Sequence, residues 1–249
     1  GSDASFYRIQ GVDIDGDGDG ILDDYDAFPN DPEKVVARPT PSSFEAVSAN
    51  IRVWLDASAT GNGGIAMVEQ DASGNVSSWM DLSGNGNHAY QETSSKQPNY
   101  LANAVNGLGG IKFSEGNVDE LTMDTISTQF PTAGSVIIVT EIDNDNQYDL
   151  LTNYPTGPFT RDSDGKGSSG LFRTSKLQDT PLHMPSQGNH IFTTRSSASD
   201  YTINLDGSIK YDGAGDYRAG NSSSEYLMSR SGASLEGKIL EIILFDKYL

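Results

Sequence analysis

The sequence of 249 residues has no cysteine and few basic residues, with 16 lysines and arginines against 35 aspartates and glutamates. Without cysteine, disulfide bonds and thiol redox chemistry are excluded. The net charge of −19 disfavours nucleic acid and anionic membrane surfaces as partners, because both are negatively charged. No apolar run reaches the roughly 18 residues that a membrane-spanning helix needs. We therefore expect no nucleic-acid partner and no membrane insertion, and the oligomeric state stays open.

Acidic residues are concentrated at the start of the chain. Residues 1–33 contain ten acidic residues and one basic residue, which gives this segment a charge of −9 (1 − 10). When Asp15 is counted as position 1 of a calcium loop, aspartates occupy positions 1, 3, 5, 9 and 12, and glycine occupies position 6. A second, overlapping frame begins at Asp13 and closes at Asp24. The predicted calcium ligands of the two frames are Asp13, Asp15, Asp17, Asp19, Ile21 through its carbonyl, Asp23, Asp24 and Asp26.

Calcium is the cation that suits this loop, because it takes six to eight oxygen ligands, whereas magnesium dehydrates reluctantly. A solvated acidic tail is the alternative interpretation. The stretch DGDGDGILDDYDAFPNDP resembles a bacterial thrombospondin type 3 repeat. That resemblance implies a calcium-wrapped extracellular spacer with little secondary structure. Two shorter Asp-Gly stretches, at 161–170 and 211–218, leave a second calcium site open, although tight turns are the simpler interpretation.

The location of the protein has to be judged from this calcium chemistry. No secretion signal precedes the acidic run, but the opening Gly-Ser pair resembles the scar of a cloned fragment, so we expect the natural N-terminus to lie upstream. Weak extracellular calcium loops bind their ion at about 10⁻⁴ to 10⁻³ M, which suits the calcium-rich outside of a cell. We therefore expect a secreted or cell-surface protein.

The rest of the chain is predicted to fold as a separate β domain. Prolines in ARPTPSS predict an extended linker, so we expect a calcium-binding segment at 1–36, a linker at 37–43 and a large domain at 44–249. Runs of β-branched and aromatic residues predict strands in IRVWLD, GIKFS, SVIIVTEI, HIFTTRS, YTINLDG and GKILEIILFD. Asp-Gly pairs predict turns in LDGS and YDGAG. Because short antiparallel strands must each bury one face, we predict an all-β, two-sheet antiparallel jelly-roll sandwich preceded by the short calcium-binding loop segment.

Four stretches of the large domain carry a second resemblance. They are VWLDAS, VSSWMDLSGNGNHAYQ, QPNYLANAVNGLGGIKFSEG and the closing LEGKILEIILFDKYL, and they are similar to laminin-G-like, concanavalin-A-like jelly rolls of bacterial exported proteins. The resemblance covers residues 50–249. It implies a carbohydrate-binding or adhesive domain, since only some relatives are enzymes. We expect Trp54 and Trp79 to pack in the core rather than on a sugar, and His88 to fix a loop.

The leading functional hypothesis is a non-catalytic carbohydrate-binding module whose partner is a polysaccharide or a cell-surface glycan. A sugar site needs aromatic faces beside polar groups. The predicted glycan-binding residues are Tyr154, Arg161, Arg173, Tyr211, Tyr217 and Arg218.

Two alternatives stay open. The first is a glycoside hydrolase or polysaccharide lyase that uses Glu141 and Asp143, because EIDNDN matches the E-x-D-x-x-E pattern of laminarinase-type glucanases up to its last position, which is Asn146. Since the third carboxylate is missing, we assign no catalytic residue and favour a module carried by a polysaccharide-degrading enzyme over an enzyme in its own right. The second alternative is a structural or adhesive domain of a surface adhesin.

Overall fold

The computed structural model describes residues 48–61, 65–114, 119–123, 129–130, 132–144, 148–153, 157–161, 167–169, 187–214, 226–228 and 235–249. The chain divides into two compact units, one of residues 1–49 and 59–66 and the other of residues 50–58 and 67–249. The boundaries that the sequence predicts, near residues 36 and 43, lie outside the described residues and stay a prediction.

Strands dominate the described residues. The first unit contains β2 (Thr60–Gly61) and β3 (Ile65–Ala66), which pair antiparallel. The second unit contains β1 (Ile51–Asp56), β4 (Val68–Gln70), β5 (Val76–Trp79), β6 (Ala89–Tyr90), a 3-10 helix (Ser94–Lys96), β7 (Asn99–Val105), β8 (Leu108–Phe113), β9 (Leu121–Met123), β10 (Gly134–Ile142), β11 (Tyr148–Asn153), β12 (Gly157–Arg161), β13 (Gly167–Ser169), β14 (Gly188–Ser196), β15 (Asp200–Leu205), β16 (Ser208–Ala214), β17 (Tyr226–Met228) and β18 (Gly237–Phe245).

The strand β18 lies at the centre of the first sheet of the second unit. Its sequence GKILEIILF is apolar at most positions, as expected for a strand covered on both faces. The strand β10 pairs along one side of it, while β1 and β8 share the other side. The order in this sheet is β16-β15-β14-β10-β18-β8-β7, with β1 beside β18.

The second sheet has the order β13-β12-β11-β17-β9-β6-β5-β4, and most of its strands are short. Side chains from both sheets meet in one hydrophobic cluster, with Trp79 and Leu121 from the second sheet and Phe113 and Phe192 from the first, all at most 1% exposed. Every described strand pair of the two sheets is antiparallel. The prediction of an all-β, two-sheet antiparallel jelly-roll sandwich is therefore confirmed.

The two predicted Asp-Gly turns have different outcomes. Asp206 and Gly207 have φ of 51° and 76°, the left-handed pair that a two-residue hairpin requires, and they connect β15 to β16. The turn predicted in YDGAG is wrong at its Asp-Gly pair, because β16 continues through Asp212 and Gly213, which pair with Thr202 and Tyr201. Pairing with β15 along the sheet outweighs the local preference of Asp-Gly for a turn.

The loop that follows β5 is organised by the buried carboxylate of Asp81. Its Oδ1 accepts hydrogen bonds from the amides of Trp54 (2.8 Å) and Ser83 (2.9 Å). Its Oδ2 accepts from the hydroxyl of Ser83 (2.7 Å) and the amide of Asn87 (2.9 Å). The Asp81 amide in turn donates to Nδ1 of His88 at 2.9 Å, so the prediction that His88 fixes a loop is confirmed. The stretch DLSGNGNH is thus a structural loop tied to β1.

Candidate functional site

The outward face of the second sheet carries the candidate site. Ala89, Leu121 and Met123 are buried in the core, so strand alternation places Tyr90 and Thr122 on the opposite face. These two residues are cross-strand partners in the pairing of β6 with β9. Both are partly exposed. A tyrosine and a threonine therefore stand side by side on the solvent face.

The segment after β6 lies beside Tyr90 and is held in place by hydrogen bonds of Gln91. Gln91 is buried, and its side-chain oxygen accepts a hydrogen bond from the Thr93 amide at 2.9 Å. Its side-chain amide donates to the carbonyl of Glu120 at 3.3 Å. The backbone then turns through the 3-10 helix, where the Lys96 amide donates to the Thr93 carbonyl at 2.9 Å. Gln91 thereby joins the helix segment to the strand that follows Glu120.

An ion pair forms the polar end of the site. The ammonium of Lys96 donates to Oε1 of Glu120 at 2.7 Å, with side-chain exposures of 43% for Lys96 and 17% for Glu120. The backbone supports the same pairing, because the Glu120 amide donates to the Lys96 carbonyl at 3.0 Å. The two charges are therefore fixed near each other and open to solvent on one side.

Together these residues line an open groove of about 280 Å³. The lining residues, which we call the Tyr90 groove, are Tyr90, Gln91, Glu92, Thr93, Lys96, Glu120 and Thr122. Ligand pockets in proteins span roughly 300–1,000 Å³, so this groove suits a ligand, or a unit of a polymer, of about one ring.

Asp119, which precedes Glu120, points away from the solvent. It is 2% exposed, and its Oδ2 accepts a hydrogen bond from the Ser114 amide at 2.9 Å. Burial raises the pKa of Asp119 to about 6, against the opposing effect of the Ser114 hydrogen bond and with a smaller contribution from Glu236. The acidic side chains that face the groove are therefore Glu92 and Glu120, and Asp119 is not among them.

Most of the glycan-binding residues predicted from the sequence lie outside the described residues, namely Tyr154, Arg173, Tyr217 and Arg218. Arg161 ends β12, where its backbone pairs with Tyr148 and Gly167. Tyr211 lies in β16 and packs against the core, with its ring 6.0 Å from that of Tyr201 at 61°. Tyr211 does not line the Tyr90 groove, and the set stays a prediction.

The carboxylates of the enzymatic alternative form an ion-pair cluster. The ammonium of Lys238 donates to Oε2 of Glu141 at 2.8 Å and to Oδ1 of Asp143 at 3.2 Å. Although burial lowers the pKa of Lys238, the hydrogen bonds to the two carboxylates outweigh it and raise this pKa above its ordinary value. The cluster joins the end of β10 to the start of β18, so it holds these two strands together.

The tryptophans have the role that the sequence predicts. Trp79 is 0% exposed in the hydrophobic cluster, and Trp54 is 8% exposed, with its indole N–H donating to Glu241 at 2.9 Å. Neither residue lines the Tyr90 groove.

The predicted calcium ligands, from Asp13 to Asp26, lie outside the described residues. In the part of the chain that is described, no group of three or more histidines and acidic residues is arranged to hold a metal ion. That same part contains no helix long and apolar enough to span a membrane.

Sequence reasoning missed the Tyr90 groove. Tyr90 and Gln91 belong to the stretch VSSWMDLSGNGNHAYQ, which by itself indicates only the fold. Lys96 and Glu120 are 24 positions apart, and they meet through the pairing of β6 with β9 and the hydrogen bonds that join Glu120 to Gln91 and Lys96. The one local signal is Tyr-Gln-Glu-Thr, an aromatic residue followed directly by polar ones.

Comparison with known proteins supports the fold. No family model and no curated protein matches the sequence. The binding domain of Paraclostridial Mosquitocidal Protein 1 is similar in structure, with a TM-score of 0.56 and 14% identity over 81% of this chain and 50% of that chain. A botulinum neurotoxin type C structure, from a study of cell entry that depends on two ganglioside molecules, has a TM-score of 0.53 and 10% identity over 83% of this chain and 50% of that chain. Trypanosoma rangeli sialidase has a TM-score of 0.52 and 16% identity over 88% of this chain and 33% of that chain. The chain therefore spans about half the length of the toxin structures and a third of the sialidase, and the likeness concerns the β-sandwich.

Proposed function

We propose that the chain is a non-catalytic carbohydrate-binding module of an exported bacterial protein. The observation that carries the proposal is the Tyr90 groove, a mostly polar groove on the open face of a sheet that contains a fixed ammonium–carboxylate pair. The hydroxyl groups of a sugar need charged or amide partners, and Lys96 and Glu120 supply them in this groove. The sandwich resembles a toxin whose entry depends on gangliosides, which are sugar-bearing ligands of that protein.

The Glu141 and Asp143 cluster argues against the enzymatic alternative. A retaining glycosidase needs two carboxyl groups on either side of a sugar, about 5–5.5 Å apart. Here both carboxylates contact one ammonium group, that of Lys238, so the space between them is filled by a side chain of the protein. We therefore assign the binding function to the groove and no reaction to the cluster.

Affinity electrophoresis through gels cast with a panel of polysaccharides tests the binding function. We expect the wild-type protein to be retarded by at least one polymer, which stays intact, and the Tyr90→Ala variant to lose at least tenfold in affinity. Tyr211→Ala tests the glycan-binding set that the sequence predicts in the same gels, and urea unfolding checks that this variant is folded, because Tyr211 packs against the core. Loss of retardation in Tyr211→Ala but not in Tyr90→Ala would move the site to the residues that the sequence predicts. Thinning of the polymer would establish an enzyme instead, and the absence of retardation in every gel would favour an adhesive or structural domain.

We further propose that residues 13–26 bind calcium and that this segment is a spacer of a secreted or surface protein. The aspartate spacing supports the proposal, because a divalent cation neutralises charges that otherwise repel one another. Calorimetric titration of the wild type with calcium should give a dissociation constant of about 10⁻⁴ to 10⁻³ M.

The double variant Asp17→Asn/Asp19→Asn should lose this calcium binding, because both frames use Asp17 and the main frame uses Asp19. The matched control is Asp3→Asn/Asp31→Asn, which also removes two negative charges, but from residues outside both calcium-loop frames. Equal weakening in the two double variants would mean that calcium only screens an acidic tail. At a hundredfold excess over the dissociation constant, calcium should stabilise the folded segment by about 2.7 kcal/mol.

A further inference from the structure

We propose that the Tyr90 groove selects a neutral sugar unit over an acidic one and holds two neighbouring hydroxyl groups between Lys96 and Glu120. The inference rests on the proposed carbohydrate-binding function and names the ligand class of the same groove. It differs from the arginine-lined site that the sequence predicts, in which Arg161, Arg173 and Arg218 would favour acidic sugars.

The charge of the groove disfavours an anion. Among the described residues, the lining contains Glu92 and Glu120 against one cation, Lys96, which gives these three residues a charge of −1 (1 − 2). The ammonium of Lys96 is already paired with Glu120 at 2.7 Å. A sugar carboxylate or sulfate would have to displace Glu120 from Lys96 or lie against its negative charge. The net charge of −19 of the whole chain acts in the same direction.

The hydrogen-bonding groups of the groove match a pair of hydroxyl groups. The Lys96 ammonium has three N–H donors, of which one is directed to Oε1 of Glu120. The Glu120 carboxylate is a pure acceptor, and because its Oε1 accepts from Lys96 and, at 3.5 Å, from the Gln91 side chain, Oε2 is the oxygen with which it would accept from a ligand. A sugar hydroxyl donates and accepts at once, so one hydroxyl accepts from Lys96 while its neighbour donates to Glu120. A carboxylate or sulfate group only accepts, so it cannot donate to Oε2 of Glu120.

Hydrogen bonds within the protein hold the groove in this arrangement. The buried Gln91 side chain bonds to the backbone on both sides, at Thr93 and Glu120. The Glu120 amide is fixed to the Lys96 carbonyl at 3.0 Å. A preorganised site loses little entropy on binding, which is how a shallow groove binds a neutral sugar measurably.

The test measures retardation of the full chain in gels of neutral polysaccharides (a β-glucan and a galactomannan) and acidic ones (alginate, pectate and a sialylated glycan). We expect retardation by a neutral polymer and none by the acidic ones, with little change between low and high salt. Glu120→Gln and Lys96→Met change the groove charge in opposite directions, and each should weaken retention at least tenfold, because Lys96→Met removes the donor to one hydroxyl and Glu120→Gln replaces a charged acceptor by a weaker neutral one. Asp246→Asn is the matched control, since it removes a carboxylate from the ion pair with Arg52 and changes the net charge as Glu120→Gln does.

The outcomes separate this inference from the proposed function. Retardation by acidic polymers alone, strengthened in Glu120→Gln and weakened in Lys96→Met, would show a carbohydrate-binding module with the opposite selectivity and would overturn the inference. Neutral retardation that neither groove variant weakens would place the site elsewhere. No retardation in any gel would overturn the proposed function and the inference with it. Urea unfolding of each variant shows whether it loses binding because it is unfolded. If one of the two groove variants does not fold, the other still tests the inference.

Discussion

Replacing Asp81 by alanine is expected to destabilise the sandwich by about 4 kcal/mol, because one buried and two partly buried backbone amides lose their acceptor. These amides belong to Trp54, Ser83 and Asn87, and the first of them lies in β1, beside the central strand of the sheet. Asp81→Asn should lose about 2 kcal/mol. In that variant Oδ1 still accepts from Trp54 and Ser83, while the new amide group faces the N–H of Asn87 and leaves it unpaired. Urea unfolding, followed by tryptophan fluorescence, measures both losses.

Asp71 offers a matched control for this prediction. Its carboxylate also accepts several hydrogen bonds, from the Ser73 amide (2.8 Å), the Asn75 amide (2.9 Å) and the Asn75 side chain (2.8 Å). Asp71 is exposed, however, so water replaces the lost acceptor. Asp71→Ala should therefore lower the free energy of unfolding far less than Asp81→Ala does. Similar losses in the two variants would mean that burial of the Asp81 loop does not determine its contribution.

Two long strands of the first sheet, β1 and β18, were predictable because each is a largely apolar run of at least six residues. IRVWLD is β1 in full, and GKILEIILFD contains the whole of β18. The short strands of the second sheet carry no such signal, since β6 has two residues and β9 has three, too few to show an alternation. Their positions are set by pairing with neighbours across the sheet, which a single sequence does not display.

The candidate site was hidden for the same reason. The Tyr90 groove depends on the register that places Tyr90 opposite Thr122, and on a hydrogen bond from Lys96 to Glu120 that spans 24 positions. By contrast, the Asp81 loop was visible as SGNGNH after Trp-Met-Asp, because all its polar partners except Trp54 lie within seven residues of Asp81. The loop around Asp81 could therefore be predicted from the sequence, whereas a site that strand register assembles could not.

The largest effect of a single added carbon is expected at Gly237, the first residue of β18. Gly237 is paired with Ile142 of β10 on one side and with Phe113 of β8 on the other. A Cβ at this position would overlap the carbonyl oxygen of Glu141 and lie 3.2 Å from its carbonyl carbon. These are backbone atoms of a paired strand, so they cannot rotate away. Gly237→Ala should therefore force β18 and β10 apart and lower the free energy of unfolding by about 3 kcal/mol.

Gly207→Ala separates this steric effect from the ordinary cost of replacing glycine. Gly207 has φ of 76°, and no atom lies within 4 Å of the place that an alanine methyl group would take, so alanine there meets backbone strain alone, about 1–2 kcal/mol. We expect urea unfolding to show a larger loss for Gly237→Ala than for Gly207→Ala. Hydrogen exchange should also quicken at the β10 and β18 amides in Gly237→Ala only, because the Lys238 contacts with Glu141 and Asp143 cross the same pair of strands. A Gly237→Ala loss no larger than that of Gly207→Ala would show that the two strands separate easily and that their close approach at Glu141 contributes little to stability.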